Sequence, residues 1–227
     1  MLLDLIKTRD FSAEALIQLG LYIIVILISL SVHELFHGYV AYRCGDATAR
    51  NLGRLTLNPL HHLDPLGTIM MLVFGFGYAK PVPINPRNFN HYKRDLCFVS
   101  FAGPLSNFCL AVIATFVYVL SIRFLPYNTV SLYWMIFCMY FMSANISLAI
   151  FNLLPIPPLD GSRILSAVLP GKIAYYYLRY EQYIMIIVLL LLWQGAFDGL
   201  LSFLSNGLLK FVINAVSFIL KPLLNLF

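Results

Sequence analysis

"LGLYIIVILISLSVHELFHGYV", residues 19–40, decides how this chain is read. It belongs to an apolar stretch over 16–41, longer than the about 20 residues needed to cross the hydrocarbon of a bilayer. Its far end carries two histidines and a glutamate. Ionisable side chains at membrane depth are expensive, and they are kept where they perform a task.

The whole chain agrees with a membrane setting. Of its 227 residues, 60% are hydrophobic and 11% charged, and the mean hydropathy is +0.82. Soluble chains carry about 45–50% apolar and about 25% charged residues. The expected fold is an all-α polytopic membrane protein with about four to six transmembrane helices. The net charge of +5 comes from basic residues in short loops between apolar runs, which fits a lipid bilayer as partner and gives no support to nucleic acid. Cys44, Cys97, Cys109 and Cys138 are scattered without CxxC spacing and read as small core residues, not as a disulfide frame. Lys7 and Arg9 before an apolar run resemble the start of a signal peptide. The run passes directly into His-Glu with no small-residue cleavage pattern, so it is read as a retained first helix.

Further apolar spans are expected over 96–122, 131–154 and 183–204. A tail over 207–227, interrupted by Lys210 and Lys221, is read as an interfacial helix or a short fifth crossing. The segment "PLGTIMMLVFGFGYAKPVPINP" is different. Its apolar part is too short to span and is broken by Gly67, Gly75 and Gly77, so a re-entrant or β-hairpin-like segment is expected near 66–80. Arg43, Arg50 and Arg54 precede it and Lys80, Arg87, Lys93 and Arg94 follow it, whereas the 123–130 loop holds only Arg123. The positive-inside rule then places the loops at 42–65 and 79–94 in the cytoplasm, the N-terminus outside, and residues 155–180 back in the cytoplasm. No internal repeat or linker divides the chain. It is read as one domain over 1–227, with a motif-bearing core over about 16–165 and C-terminal helices over 181–227.

In "HELFH", His33 and His37 are four residues apart and share one face of a helix. Two imidazoles so placed can share a tetrahedral zinc ion, and Glu34 beside them can take a proton from water. A catalytic zinc usually has three protein ligands. The metzincin continuation fails, because Val40 and Arg43 stand where it needs Gly and His. His61, His62 and His91 lie in the basic loops, and His61 and His62 are left without an assigned role. Asp4, Asp10 and Glu14 precede the first helix on the opposite side; Asp46, Asp64 and Asp95 have basic neighbours that could pair with them; Glu181 lies in a tyrosine-rich turn; and Asp198 lies well along the fourth span. Asp160 remains, in "FNLLPIPPLDGSRIL". There the prolines stop a helix and Gly161 allows a tight turn, so a carboxylate can be held at the membrane edge where His33 and His37 lie. A plain helix N-cap is the competing reading of Asp160.

With these residues in hand, the sequence resembles the site-2 proteases, zinc intramembrane metalloproteases. "HELFH" is similar to the family's HExxH, and "NLLPIPPLDG" to its second motif, an Asn and Pro followed by Leu-Asp-Gly. "AGPLSNF" fits a Gly-x-x-x-Asn element through Gly103 and Asn107, although Asn107 reads equally well as helix packing. "LTLNPLHHLDPLGT" and "AKPVPINPRNF" resemble the compact prokaryotic members without PDZ or CBS domains. The resemblance implies one zinc per chain held by His33, His37 and Asp160, with Glu34 as general base and then acid, and Asn152 helping to stabilise the oxyanion or to place the substrate carbonyl. It also implies a transmembrane protein as substrate, the plasma membrane of a prokaryote as location, and an active site toward the cytoplasm. The sequence leaves the substrate's identity and the oligomeric state open. A transporter would be expected to show paired repeats, and none is visible. A silent scaffold would be expected to have lost one of His33, Glu34, His37 or Asp160, and all four are present.

Overall fold

The computed structural model describes residues 12–64, 67 and 80–224, whose regular elements are helices with no strand among them. The expected hairpin-like segment near 66–80 falls almost wholly outside the described residues. Helix α1 spans Ala13–Arg43, with the Ser12 hydroxyl accepting from the Ala15 amide at its start. A short α2 covers Thr48–Asn51. Helix α3 is Tyr92–Phe124 and α4 is Thr129–Leu153, the latter capped by Asn128, whose side-chain oxygen accepts from the Ser131 amide at 2.9 Å. Then follow α5 (Asp160–Val168), α6 (Gly171–Arg179), α7 (Glu181–Trp193) and α8 (Asp198–Leu224).

Among the described residues, four helices are long and apolar enough to cross a membrane: α1, α3, α4 and α8. Helix α3 is the centre of the bundle, packing on α1, α4, α5 and α8. Its buried face is built from small residues, including Ala102, Gly103, Ser106, Ala111 and Ala114, while Phe98, Phe101, Leu105, Ile113 and Phe116 are exposed. That inverts the pattern of a soluble bundle. Where lipid surrounds the protein, burying large apolar side chains gains little, and small residues let helices approach closely. Polar side chains inside the bundle are largely satisfied locally. Ser29 and Ser31 donate to the Val25 and Leu27 carbonyls at 2.7 and 2.6 Å, and Asn145 of α4 donates to Ser29 of α1 at 2.8 Å.

The fourth crossing expected over 183–204 is corrected by the structure. Helix α7 has 13 residues, about 20 Å at 1.5 Å per residue, short of the roughly 30 Å hydrocarbon core. It stops in a Schellman motif: the Ala196 and Gly195 amides donate to the Leu191 and Leu192 carbonyls, both at 3.0 Å, and Gly195 takes φ +74°. The chain then restarts at Asp198 in one helix that runs unbroken through 204–207, so the fourth helix long enough to cross includes most of the tail, in line with the crossing alternative for that segment and not with an interfacial helix.

The polar segments between α1 and α3 form a strap against the end of α1. Asp46 is fully buried, and it meets donors where an arginine or lysine partner was possible. Its carboxylate accepts from the Thr48 amide and hydroxyl, the Asn85 amide at 2.6 Å and the Asn88 side chain at 2.8 Å. Burial alone would raise its pKa, but these donors outweigh it and hold the carboxyl below the usual carboxylate range. A folded-state pKa below the unfolded one contributes stability above the unfolded value and loses it as pH falls through the folded one. Asp46→Asn is therefore expected to cost about 2 kcal/mol at neutral pH. Melting temperatures of the two proteins should converge as the pH drops below about 4.

Candidate metal centre

Two helices bring the expected ligands together. His33 and His37 sit one turn apart near the end of α1. Asp160 opens α5, immediately after the proline bend that follows α4. His33 Nε2 lies 3.1 Å and His37 Nε2 3.2 Å from Asp160 Oδ2, and the two nitrogens are 3.0 Å apart. The histidines are buried at 5% and 6% exposure. Asp160 does not act as the N-cap of its helix, a position taken by Leu159. Gly161 makes the close approach possible, since a Cβ there would lie 2.3 Å from the Leu153 carbonyl oxygen.

These residues fit a zinc ion. Ligands at about 2.0–2.1 Å in tetrahedral geometry are about 3.3–3.4 Å from one another, close to the separations seen here. The histidine–histidine–carboxylate donor set suits zinc, and the fourth position is free of protein ligands among the described residues. His37 Nδ1 donates to the Val99 carbonyl of α3 at 2.7 Å, which leaves the lone pair on Nε2. The space among the nitrogens exists because position 103 has no side chain. A Cβ on Gly103 would stand 2.4 Å from His37 Nε2 and 2.6 Å from His33 Nε2.

The remaining candidates divide. Glu34 is half-buried beside the trio, and its Oε2 accepts from the Val82 amide at 2.8 Å. Asn152 lies in the last turn of α4, and its side-chain nitrogen donates to the Leu148 carbonyl at 3.0 Å. Asn107, one turn beyond Gly103, is fully buried and neither of its amide atoms has a protein partner. His61 is exposed. His62 is buried and bonds the Thr56 carbonyl at 2.8 Å, so neither joins the cluster. All four cysteines are free. Sequence reasoning missed two main-chain groups at the site, the Val99 carbonyl and the Val82 N–H. Only the two prolines around Val82 hinted at either.

The profile of peptidase family M50 matches residues 21–130 and 120–194. A candidate zinc metalloprotease of Bacillus subtilis strain 168, YwhC, is 40% identical over 206 residues, covering 89% of this chain and 93% of that protein. The candidate zinc metalloprotease Rip2 of Mycolicibacterium smegmatis is 30% identical over 161 residues, 63% of this chain and 56% of the relative. A third candidate of the same kind, MJ0611 of Methanocaldococcus jannaschii, is 34% identical over 100 residues, 44% of this chain and 49% of the relative. No solved structure matches the chain.

Proposed function

The chain belongs to peptidase family M50, and from that premise we propose that it is a zinc-dependent intramembrane endopeptidase. It hydrolyses peptide bonds within or near the transmembrane segments of membrane-anchored proteins. The observation that carries this reading is the convergence of His33, His37 and Asp160, with Glu34 beside them, at the end of a helix long enough to span a bilayer. An integral membrane zinc metalloprotease follows from the family and the four apolar helices. The substrate's membrane location is the further step.

His33, His37 and Asp160 hold one zinc per chain, the His37 ring being fixed by Val99 and the carboxylate by the α5 start. Zinc, when bound, supplies the Lewis acidity that lowers the pKa of water toward neutrality and polarises the scissile carbonyl. Glu34 takes the proton of the attacking water and delivers it to the departing amine nitrogen. Asn152 is assigned the carbonyl oxygen: its amide nitrogen carries two protons, and the bond to Leu148 uses one. A substrate helix must unwind before its bonds reach the site, because its carbonyls are already hydrogen-bonded along the helix. The loop lysines and arginines support a site facing the cytoplasm, and the bacterial and archaeal relatives support a prokaryotic cell.

The test is cleavage of a panel of single-span substrates by purified protein in detergent, with metal content measured on the same sample. Zinc near one per chain, and cleavage abolished by a chelator and restored by zinc, are expected. Protein that retains no zinc and cuts nothing in the panel would overturn the reading and bring a transporter forward.

A further inference from the structure

Residues 80–85 read KPVPIN, and the structure fixes this short stretch at several points. The Lys80 amide donates to the His62 carbonyl at 2.7 Å, and Arg54 donates to the Lys80 and Pro81 carbonyls at 3.0 and 3.2 Å. The Val82 side chain is 4% exposed and packs against Gly38 of α1. The Asn85 amide is held by Asp46. Pro81 and Pro83 have no N–H, so Val82 carries the one main-chain donor of residues 81–83, and it is given to Glu34 Oε2 at 2.8 Å.

We propose that the main-chain N–H of Val82 is the positioning group for Glu34, holding one carboxylate oxygen so that the other meets the attacking water. The inference rests on the protease reading for its catalytic consequence and on the geometry for the contact itself. A glutamate has three rotatable bonds, and Glu34 is only half-buried, so packing alone does not fix its carboxylate. A charge-assisted hydrogen bond from a donor that cannot move with its own loop does fix it. The flanking prolines have a second effect. They deny substrate and solvent any competing amide on either side, so the one donor present is committed to Glu34. The arrangement parallels His37 and the Val99 carbonyl: in both, a main-chain group orients a side chain at the centre.

Val82→Pro removes the donor and also exchanges the buried valine side chain for a ring, a change for which Val82→Ala is the control; the extended region favoured before Pro83 overlaps the one proline adopts. Val82→Ala keeps the donor and removes the side chain. With zinc content confirmed in each, Val82→Pro is expected to retain metal and KM but lose roughly 10–100-fold in kcat. Val82→Ala is expected to keep kcat within roughly threefold while losing thermal stability. A purely structural strap would give the opposite order. A second readout needs neither metal nor activity: in metal-free protein with 15N-labelled valine, the Val82 amide proton should be shifted downfield and slow to exchange. Glu34→Ala should move it upfield and speed its exchange. Wild-type turnover or faster by Val82→Pro, or an amide indifferent to Glu34→Ala, would overturn the proposal. If Val82→Pro does not fold, the amide readout decides alone. If wild-type protein cuts nothing, the protease reading fails, and the amide still decides the pairing.

Discussion

Glu34→Gln is expected to stop cleavage while leaving the metal in place. The substitution keeps the size and shape of the side chain and keeps an oxygen that can accept from the Val82 amide, so the local structure should hold. None of the three candidate ligands is touched, and zinc should stay near one per chain. What disappears is the group that takes a proton from water and returns it to the leaving amine. General acid–base catalysis contributes about 10²–10⁴-fold, and Glu34 serves two transfers, so a loss of at least roughly 1,000-fold in kcat is expected. That is about 4 kcal/mol of barrier. Single-turnover cleavage of a single-span substrate, with zinc assayed on the same preparation, makes the measurement. Zinc retained with equal, residual cleavage in both proteins would mean a contaminating protease and would leave a structural metal site standing.

Much of this site is legible in the sequence because it is local. His33, Glu34 and His37 lie within five residues on one helix, where spacing alone puts two imidazoles on one face. Asp160 was reachable because prolines and a glycine announce a bend, and its position could be compared with the end of the first helix. The missed features have identifiable causes. The Val99 carbonyl and the Val82 amide are main-chain groups, which every residue or nearly every residue carries, so no residue type marks them. Asp46 has basic neighbours in sequence that could pair with it. Its partners Asn85 and Asn88 lie some forty residues on, and ordinary asparagines give no sign of that meeting. The misplaced fourth crossing has a simpler origin. Hydropathy stays high on both sides of Gly195, and a running average passes over a single residue whose left-handed backbone ends a helix. The signal was present in "WQGAFDGL", as a glycine after a polar residue, but it belongs to helix-capping chemistry and not to hydrophobicity.

Gly103 supplies the sharpest test of whether the trio is a metal centre, because the two effects of adding one methyl group there have opposite signs. In the interior of a helix, Gly→Ala ordinarily stabilises by about 1 kcal/mol through lost backbone freedom in the unfolded chain. Position 103 lies well inside α3, so the metal-free protein has that gain available. The added Cβ, however, would stand 2.4 Å from His37 Nε2 and 2.6 Å from His33 Nε2, distances at which something must move. The methyl group would occupy the space beside both Nε2 atoms. The His37 ring is tied to Val99 of the same helix, so it cannot retreat from α3 without giving up that bond. The expected outcome is zinc content falling from about one per chain to near zero, with cleavage lost along with it. The metal-free Gly103→Ala protein should still fold, and adding zinc should no longer raise its melting temperature, whereas zinc should raise that of wild type. If the variant bound zinc as wild type does, the three side chains would not be holding the metal on the face that meets α3. If it failed to fold even without metal, the clash with the two buried imidazoles would outweigh the helix gain, and Gly103 would be required for their packing whether or not a metal is bound. Stability and metal content, measured on the same variant, separate packing from metal binding at Gly103.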